Sequence, residues 1–536
     1  MMFNMWIVLL WGLFFAGSLS FLNYFAAESK TRTIFIFLSF MGILSLIYYP
    51  GLTGHYIFHD DVFLWFWDKT HWTTHLQYRH TILCGRPLGA IVWLSVASFV
   101  DTVDSANMVR FFAVIIISLI ALAVDIWFRR VCGLREVHSF FLVLLIVLLP
   151  PFQVYVYWIS VFNIPVAILL SIYSLMLLFK LERNQALLVN ILTFDIRNRN
   201  VLIGSSISLV LLLCSLMTYQ AGATFFIALL AMWFMRVNRG DMPTVKWPWL
   251  PVTVFGVAAT AYLGVFKILV PVNAAGLKAA YHNGLVVDYA GKLGWFFREP
   301  LMAAFNLWHV PRSGAVASIV LFVIVLGIVF DFIHSIRQNS NIRLFRKNFI
   351  LKYLVILVFL FLSFGINLVV STNGFSYRTI TALITIVFIL FWSGISKTCV
   401  VFLRQEQQER AITCLLFFIV TGVMILTHIN FMRYCVDNNT QELNYVENEL
   451  EKKYTTDIEK IHVVRPSDPP LAGKGSGDEF GITTCFFYDN IPWLVKAAFL
   501  ERKIAGGGAI TLSTGAAKDF VAPRPHLLII DLGRRK

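Results

Sequence analysis

Charge is what this chain has least of. Only 14% of its 536 residues are Asp, Glu, Lys or Arg, whereas 58% are hydrophobic; an ordinary soluble domain carries about 25% charged residues. A soluble enzyme of this length is therefore excluded. Cysteine is also sparse. The seven, Cys84, Cys132, Cys214, Cys399, Cys414, Cys435 and Cys485, form no CxxC pair and show no metal-ligand spacing. Acids are the scarcer sign, 30 against 44 bases, for a net charge of +14. From Ile429 onward there are 14 bases and 14 acids, so the excess lies between the apolar runs. That is the pattern of topology signals and not of a nucleic-acid footprint. No internal repeat suggests an inverted-repeat transporter. The opening MMFNMWIVLLWGLFF lacks a basic stretch ahead of its apolar run and reads as a retained span.

Long hydrophobic runs are what is present. About twelve candidate spans follow from them, at 3–25, 33–50, 108–128, 138–151, 163–180, 201–217, 220–235, 248–270, 313–333, 350–370, 379–396 and 411–429. The fold class expected is an all-α polytopic membrane bundle. The run 88–100 is too short to span and reads as interfacial or re-entrant. With the N-terminus outside, the inner loops hold 20 Lys and Arg, and the outer loops ahead of the tail hold 8. The opposite orientation reverses this bias, which sets the expected sidedness. Bundle 1–430 then presents two long outer loops, 51–106 and 271–312, and an outer tail, 431–536, expected to be a small α/β appendage. Its strands are expected at Ile461–Val464, Thr483–Tyr488 and Leu527–Ile530, after a helix at Asn438–Tyr454. Cys435 and Cys485 share this tail. They could pair in an oxidising compartment or remain free thiols.

The most polar stretch of the front half is Phe58–Leu88, with Asp60, Asp61, His59, His71, His75, His80, Arg79 and Gly85-Arg86-Pro87. A carboxylate can take the proton of an attacking sugar hydroxyl; a DD pair can also be only the cap of a helix starting at Val62. Guanidinium groups at Arg86 and Arg79 suit a departing phosphate, although an interfacial Arg can simply snorkel to lipid. Arg378 and Arg312 are rival phosphate partners. His71 and His75, four apart, could share a metal with Asp68, but the interleaved Trp65, Trp67 and Trp72 suit an interfacial segment as well. No metal and no cofactor is expected. Tyr219-Gln220, in LMTYQAG, stands at an outer turn that could line a sugar site.

Taken together, HDD in the first long outer loop, the following GRPL, TYQ at a later helix turn and an Arg at a late helix mouth resemble one group. These are the bacterial serotype-converting O-antigen glucosyltransferases, which are similar to the wider GT-C class of polytopic glycosyltransferases. The resemblance covers roughly 51–430 in pattern, and its specific motifs are only HDD, GRPL and TYQ. It implies a polyprenyl-phosphate-linked glucose donor, a lipid-linked O-antigen acceptor, membrane lipids as surroundings, and a site and C-terminus on the periplasmic side of a bacterial inner membrane. It also implies Asp60 or Asp61 as the catalytic carboxylate. Arg86, Arg79 and Arg378 would bind the donor phosphate, and His59, Tyr219, Gln220 and Arg312 the substrates. The chain departs from the commonest GT-C arrangement in having a whole extra span ahead of the catalytic loop. A polysaccharide polymerase relying on outer-loop arginines and a transporter with charges deep in its spans are the rival readings.

Overall fold

The computed structural model describes residues 2–26, 28–62, 81–100, 102–183, 199–236, 249–269, 286–338, 342–465, 479–484, 491–504, 511–516 and 526–532. Among these residues nine helices are long and apolar enough to cross a bilayer, or ten if the bent pair Glu136–Val147 and Pro150–Tyr157 is one span. The count expected from sequence, twelve, is higher because three of its runs are not full regular helices. The run 138–151 bends by 61° where Pro150 forces Leu149 into extended backbone. The run 220–235 is divided between Gln220–Ala223 and Phe225–Arg236, and 350–370 loses its regularity after Leu362. The short run at 88–100 is the eleven-residue helix Pro87–Ala97.

Val103–Arg130 and Ile159–Lys180 are the centre of the bundle: 83% and 89% of their apolar windows are buried, against 17% for Leu9–Ala26. The central helix is well specified. Thr102 and Ser105 form a reciprocal capping box, Asp104 lies in its first turn and Arg129 and Arg130 in its last, each sign suiting its end of the helix dipole. Around this centre Phe35, Leu46, Phe322 and Phe418 are exposed, which is tolerable only where hydrocarbon covers them. Gly314–Gln338 crosses Thr381–Phe402 at Gly327 and Gly394. A Cβ on Gly394 would lie 2.4 Å from the Val323 carbonyl oxygen, so the two backbones are nearly in contact. Gly394→Val must force them apart. The expected cost is about 1–3 kcal/mol, seen as a lowered thermal midpoint in detergent, whereas Gly422→Val, where no atom lies within 4 Å, leaves it unchanged.

Buried charges at one end of the bundle neutralise each other. Asp331 accepts from Lys352 Nζ and Tyr353 hydroxyl, both at 3.0 Å, and pairs with Lys397. Asp125 pairs with Arg129, which also holds Glu28. Such groups stay buried only when paired, and the Asp331 cluster joins its helix, Gly314–Gln338, to Ile342–Leu362 and Thr381–Phe402.

At the opposite end Gln405–Phe431 continues through a π-turn, Met432–Val436, into Asp437–Lys453. This helix packs on Ile491–Glu501 and on a three-stranded parallel sheet. The sheet comprises β1 (Lys460–Arg465), β2 (Thr511–Ala516) and β3 (Leu527–Asp531), in the order β2-β1-β3. Ile461 pairs with Leu512 and with Leu528. The strands expected at 461–464 and 527–530 are present. Thr483 and Thr484 are not strand, and 485–488 lies outside the described residues. Cys435 is a fully buried free thiol, and Cys485 lies outside the described residues.

A polar seam holds this tail to the bundle, at a cleft of about 340 Å³ lined by His55, Asn444, Glu447, Glu501 and Arg502. Glu447 is fully buried; His55 Nε2 meets its Oε1 at 3.0 Å, and Arg502 Nε donates to its Oε2 at 2.8 Å. Glu501 accepts the Val103 amide at 2.7 Å. The Glu447 hydrogen bond raises the His55 pKa against the opposing effect of burial, with Glu501 and Asp104 adding to the rise. A raised histidine stabilises docking fully below its unfolded pKa of about 6.5 and loses that contribution as pH climbs through its folded value. Limited proteolysis of the tail should therefore quicken from mildly acidic to alkaline pH. His55→Asn should be cut faster at low pH and lose most of the pH dependence; an unchanged profile would contradict the role of His55.

Candidate functional site

Four short segments converge at the tail-bearing end of the bundle. The first is Tyr56–Asp61. Phe58 is fully buried, its ring 4.8 Å from Tyr157 and 5.3 Å from Trp158. His59–Asp61 then forms a single 3₁₀ turn, with His59 at φ 47°, a left-handed conformation costly for a residue with a Cβ. The His59 ring lies 4.9 Å from the Trp158 ring. Asp61 is fully buried, and its Oδ1 accepts from the Ser160 amide at 2.9 Å and the Ser160 hydroxyl at 3.1 Å. The backbone of Asp60 belongs to the same turn.

The second and third segments join two motifs far apart in the chain. Gly85 has φ 76°, and a Cβ on it would lie 2.4 Å from both the Tyr262 hydroxyl and the Phe266 ring. Only glycine fits there. Arg86 then caps Pro87–Ala97, with Pro87 at the helix start. Its Nε donates to Gln220 Oε1 at 2.9 Å, and its guanidinium lies 4.0 Å above the Tyr219 ring. Gln220 Nε2 donates to the Cys84 carbonyl at 3.1 Å, and the Tyr262 hydroxyl to the Gly85 carbonyl at 3.1 Å. Tyr219-Gln220 occupies the break after Arg199–Thr218. GRP and TYQ are thus one cluster, with Gln220 locking the turn and Tyr219 and Gln220 together fixing the plane of Arg86.

The fourth segment is the turn Tyr377–Thr379, held by a capping box of Ser376 and Thr379. It packs against Pro150–Tyr157 and Gln220–Ala223. Arg378 lies 4.2 Å above Trp158, so this one indole touches both His59 and Arg378. Arg312 stands beside this turn, 4.7 Å over Phe375, with its charge met by Glu299. The turn Trp158–Asn163 is the hub. Trp158 meets the Arg378 turn, Ser160 holds Asp61, and a Cβ on Gly89 would come within 2.9 Å of the Asn163 side-chain Nδ2. Arg79, His71, His75, His80 and Asp68 lie outside the described residues.

Sequence reasoning missed three residues here. Ser160 has no distinguishing signal. Arg110 is fully buried in Val103–Arg130; its Nη2 donates to the Tyr56 carbonyl at 3.0 Å and its guanidinium lies 3.8 Å over the Tyr56 ring, bracing the backbone ahead of His59. A lone arginine in an apolar span is by default a functional or positioning residue and could have been found on that ground. Glu479 is also fully buried. It accepts from the Tyr377 amide at 2.6 Å, although its sequence context, GSGDEFG, reads as a linker.

The arrangement offers the Asp61 carboxylate, aromatic surfaces and two oriented guanidinium groups at the end of a bundle whose flanks are apolar. Such a set can accept a proton and stabilise a phosphate anion, the two demands of displacement at a phosphate-linked carbon. Comparison with family models, curated proteins and solved structures finds no match to this chain.

Proposed function

We propose that the protein is a membrane glycosyltransferase. It moves glucose from a polyprenyl-phosphate donor to a lipid-linked O-antigen acceptor, with the site and the tail on the periplasmic side of a bacterial inner membrane. The observation that carries this reading is the meeting of HDD, GRP, TYQ and Arg378 at one end of the bundle, although they are spread over 320 residues. The sidedness rests on the 20-to-8 bias of Lys and Arg.

The chemistry is a single in-line displacement. The acceptor hydroxyl gives its proton to a carboxylate of the pair while its oxygen bonds to the anomeric carbon. The bond from that carbon to the phosphate oxygen breaks, and the electron pair leaves with polyprenyl phosphate. Arg86 and Arg378 meet the resulting charge, and the anomeric configuration inverts. Asp61 is buried and held by both donors of Ser160, which suits an orienting acid and favours Asp60 as the base. A prenyl donor accounts for the membrane setting, since its chain must lie in hydrocarbon while its phosphate meets the interface.

Sugar and linkage analysis of surface polysaccharide, from cells with and without this chain, tests the reading. Added glucose branches are expected only in its presence. Altered chain length with no new sugar would favour the polymerase reading, and identical polysaccharides would contradict both.

A further inference from the structure

The segment 479–484 comes from the C-terminal tail yet is stitched to the Tyr56–Asp61 segment and to the Arg378 turn. Thr484 Oγ1 donates to the Ile57 carbonyl at 2.9 Å, two residues before His59. The Gly481 amide donates to the Tyr434 carbonyl at 2.9 Å, with Gly481 at φ 80°. Phe480 is fully buried, 5.3 Å from the Tyr377 ring and 5.8 Å from that of Tyr157. The Glu479 carbonyl accepts the Tyr157 hydroxyl at 2.6 Å.

Burying the Glu479 side chain is the costly part. Apolar residues would suffice to close the tail over the bundle, and a carboxylate kept from water needs donors around it. The Arg378 turn supplies donors to it. Oε2 accepts the Tyr377 amide at 2.6 Å; Oε1 accepts the Arg378 amide at 3.4 Å and lies 3.6 Å from Arg378 Nε. The carboxylate therefore grips the turn by its backbone and sets the edge of the guanidinium, while Trp158 sets its face. We propose that Glu479 is a positioning residue through which the docked tail orients Arg378 toward a prenyl-phosphate ligand. The identity of that ligand rests on the glycosyltransferase reading; the grip on the turn does not.

The test uses the full-length protein in lipid nanodiscs, comparing wild type with Glu479→Ala and Glu479→Asp. Two quantities are read: amide hydrogen exchange in peptides spanning 374–381, and binding of undecaprenyl phosphate. Hydrogen bonds to a charged partner imply changes of about ten- to a hundredfold. Glu479→Ala should raise exchange and weaken binding on that scale, and Glu479→Asp, which keeps the charge, should recover much of both. If the alanine variant does not fold, Glu479→Gln, which keeps the volume and one acceptor, should move both in the same direction by less. Unchanged exchange overturns the grip, and raised exchange with unchanged binding overturns the positioning role. If wild type binds no undecaprenyl phosphate, the donor reading has failed; raised exchange in the variant then still upholds the grip on the Arg378 turn, and unchanged exchange overturns it.

Discussion

Asp60→Asn is expected to lower glucosyl transfer by about 10²–10⁴-fold, the usual contribution of a general base. The change keeps the size of the side chain and removes its ability to take a proton. Asp61→Asn is expected to lose less, because its amide oxygen can still accept both donors of Ser160. Ser160→Ala, which removes one of those donors, should resemble it. Transfer from polyprenyl-phosphate glucose, in membranes with matched amounts of each protein, measures all three. If Asp61→Asn is the more damaging change, the two aspartates exchange roles. Full activity in both Asp variants would remove the carboxylate mechanism from this turn altogether.

Arg86→Lys is expected to raise the donor KM by about ten- to a hundredfold, the range for losing a charge-assisted hydrogen bond at an anion. Lysine keeps the charge but has no planar fork. It cannot donate as Nε does to Gln220, and it loses the flat guanidinium stack over Tyr219. Gln220→Leu should reproduce part of the defect with Arg86 still present, since it frees the guanidinium and removes the donor to the Cys84 carbonyl. Kinetics in both variants equal to wild type would contradict a role for Arg86 in donor binding.

The residues of this cluster were conspicuous in sequence for a physical reason. In a chain this apolar, a carboxylate pair, a Gly-Arg-Pro and a Tyr-Gln between spans each cost something to keep, so they stand out singly. Their union was not legible. Nothing local says that Arg86 and Gln220 are partners, because the contact depends on where Arg199–Thr218 breaks and how Tyr262 packs beneath Gly85. Bundle class was legible from run length, whereas the number of full spans was not, since hydropathy does not register the 61° bend at Pro150. In the tail, the apolar runs in β1 and β3 marked them as strands. TLSTGA in β2 carries no such pattern, and its place beside β1 is set by parallel pairing at a distance. Glu479 was hidden for a different reason. A buried acid in a Gly-rich stretch is recognisable only once its donors, from a turn a hundred residues upstream, are in view.

The most direct measurement is transfer itself. Membranes containing the protein are supplied with polyprenyl phosphate carrying labelled glucose and with lipid-linked polysaccharide, and parallel membranes lack the protein. Label should move to the polysaccharide with inverted anomeric configuration, releasing one polyprenyl phosphate for each glucose, only where the protein is present. Donor consumed at the same rate in both membranes, with no labelled polysaccharide, would contradict the assignment.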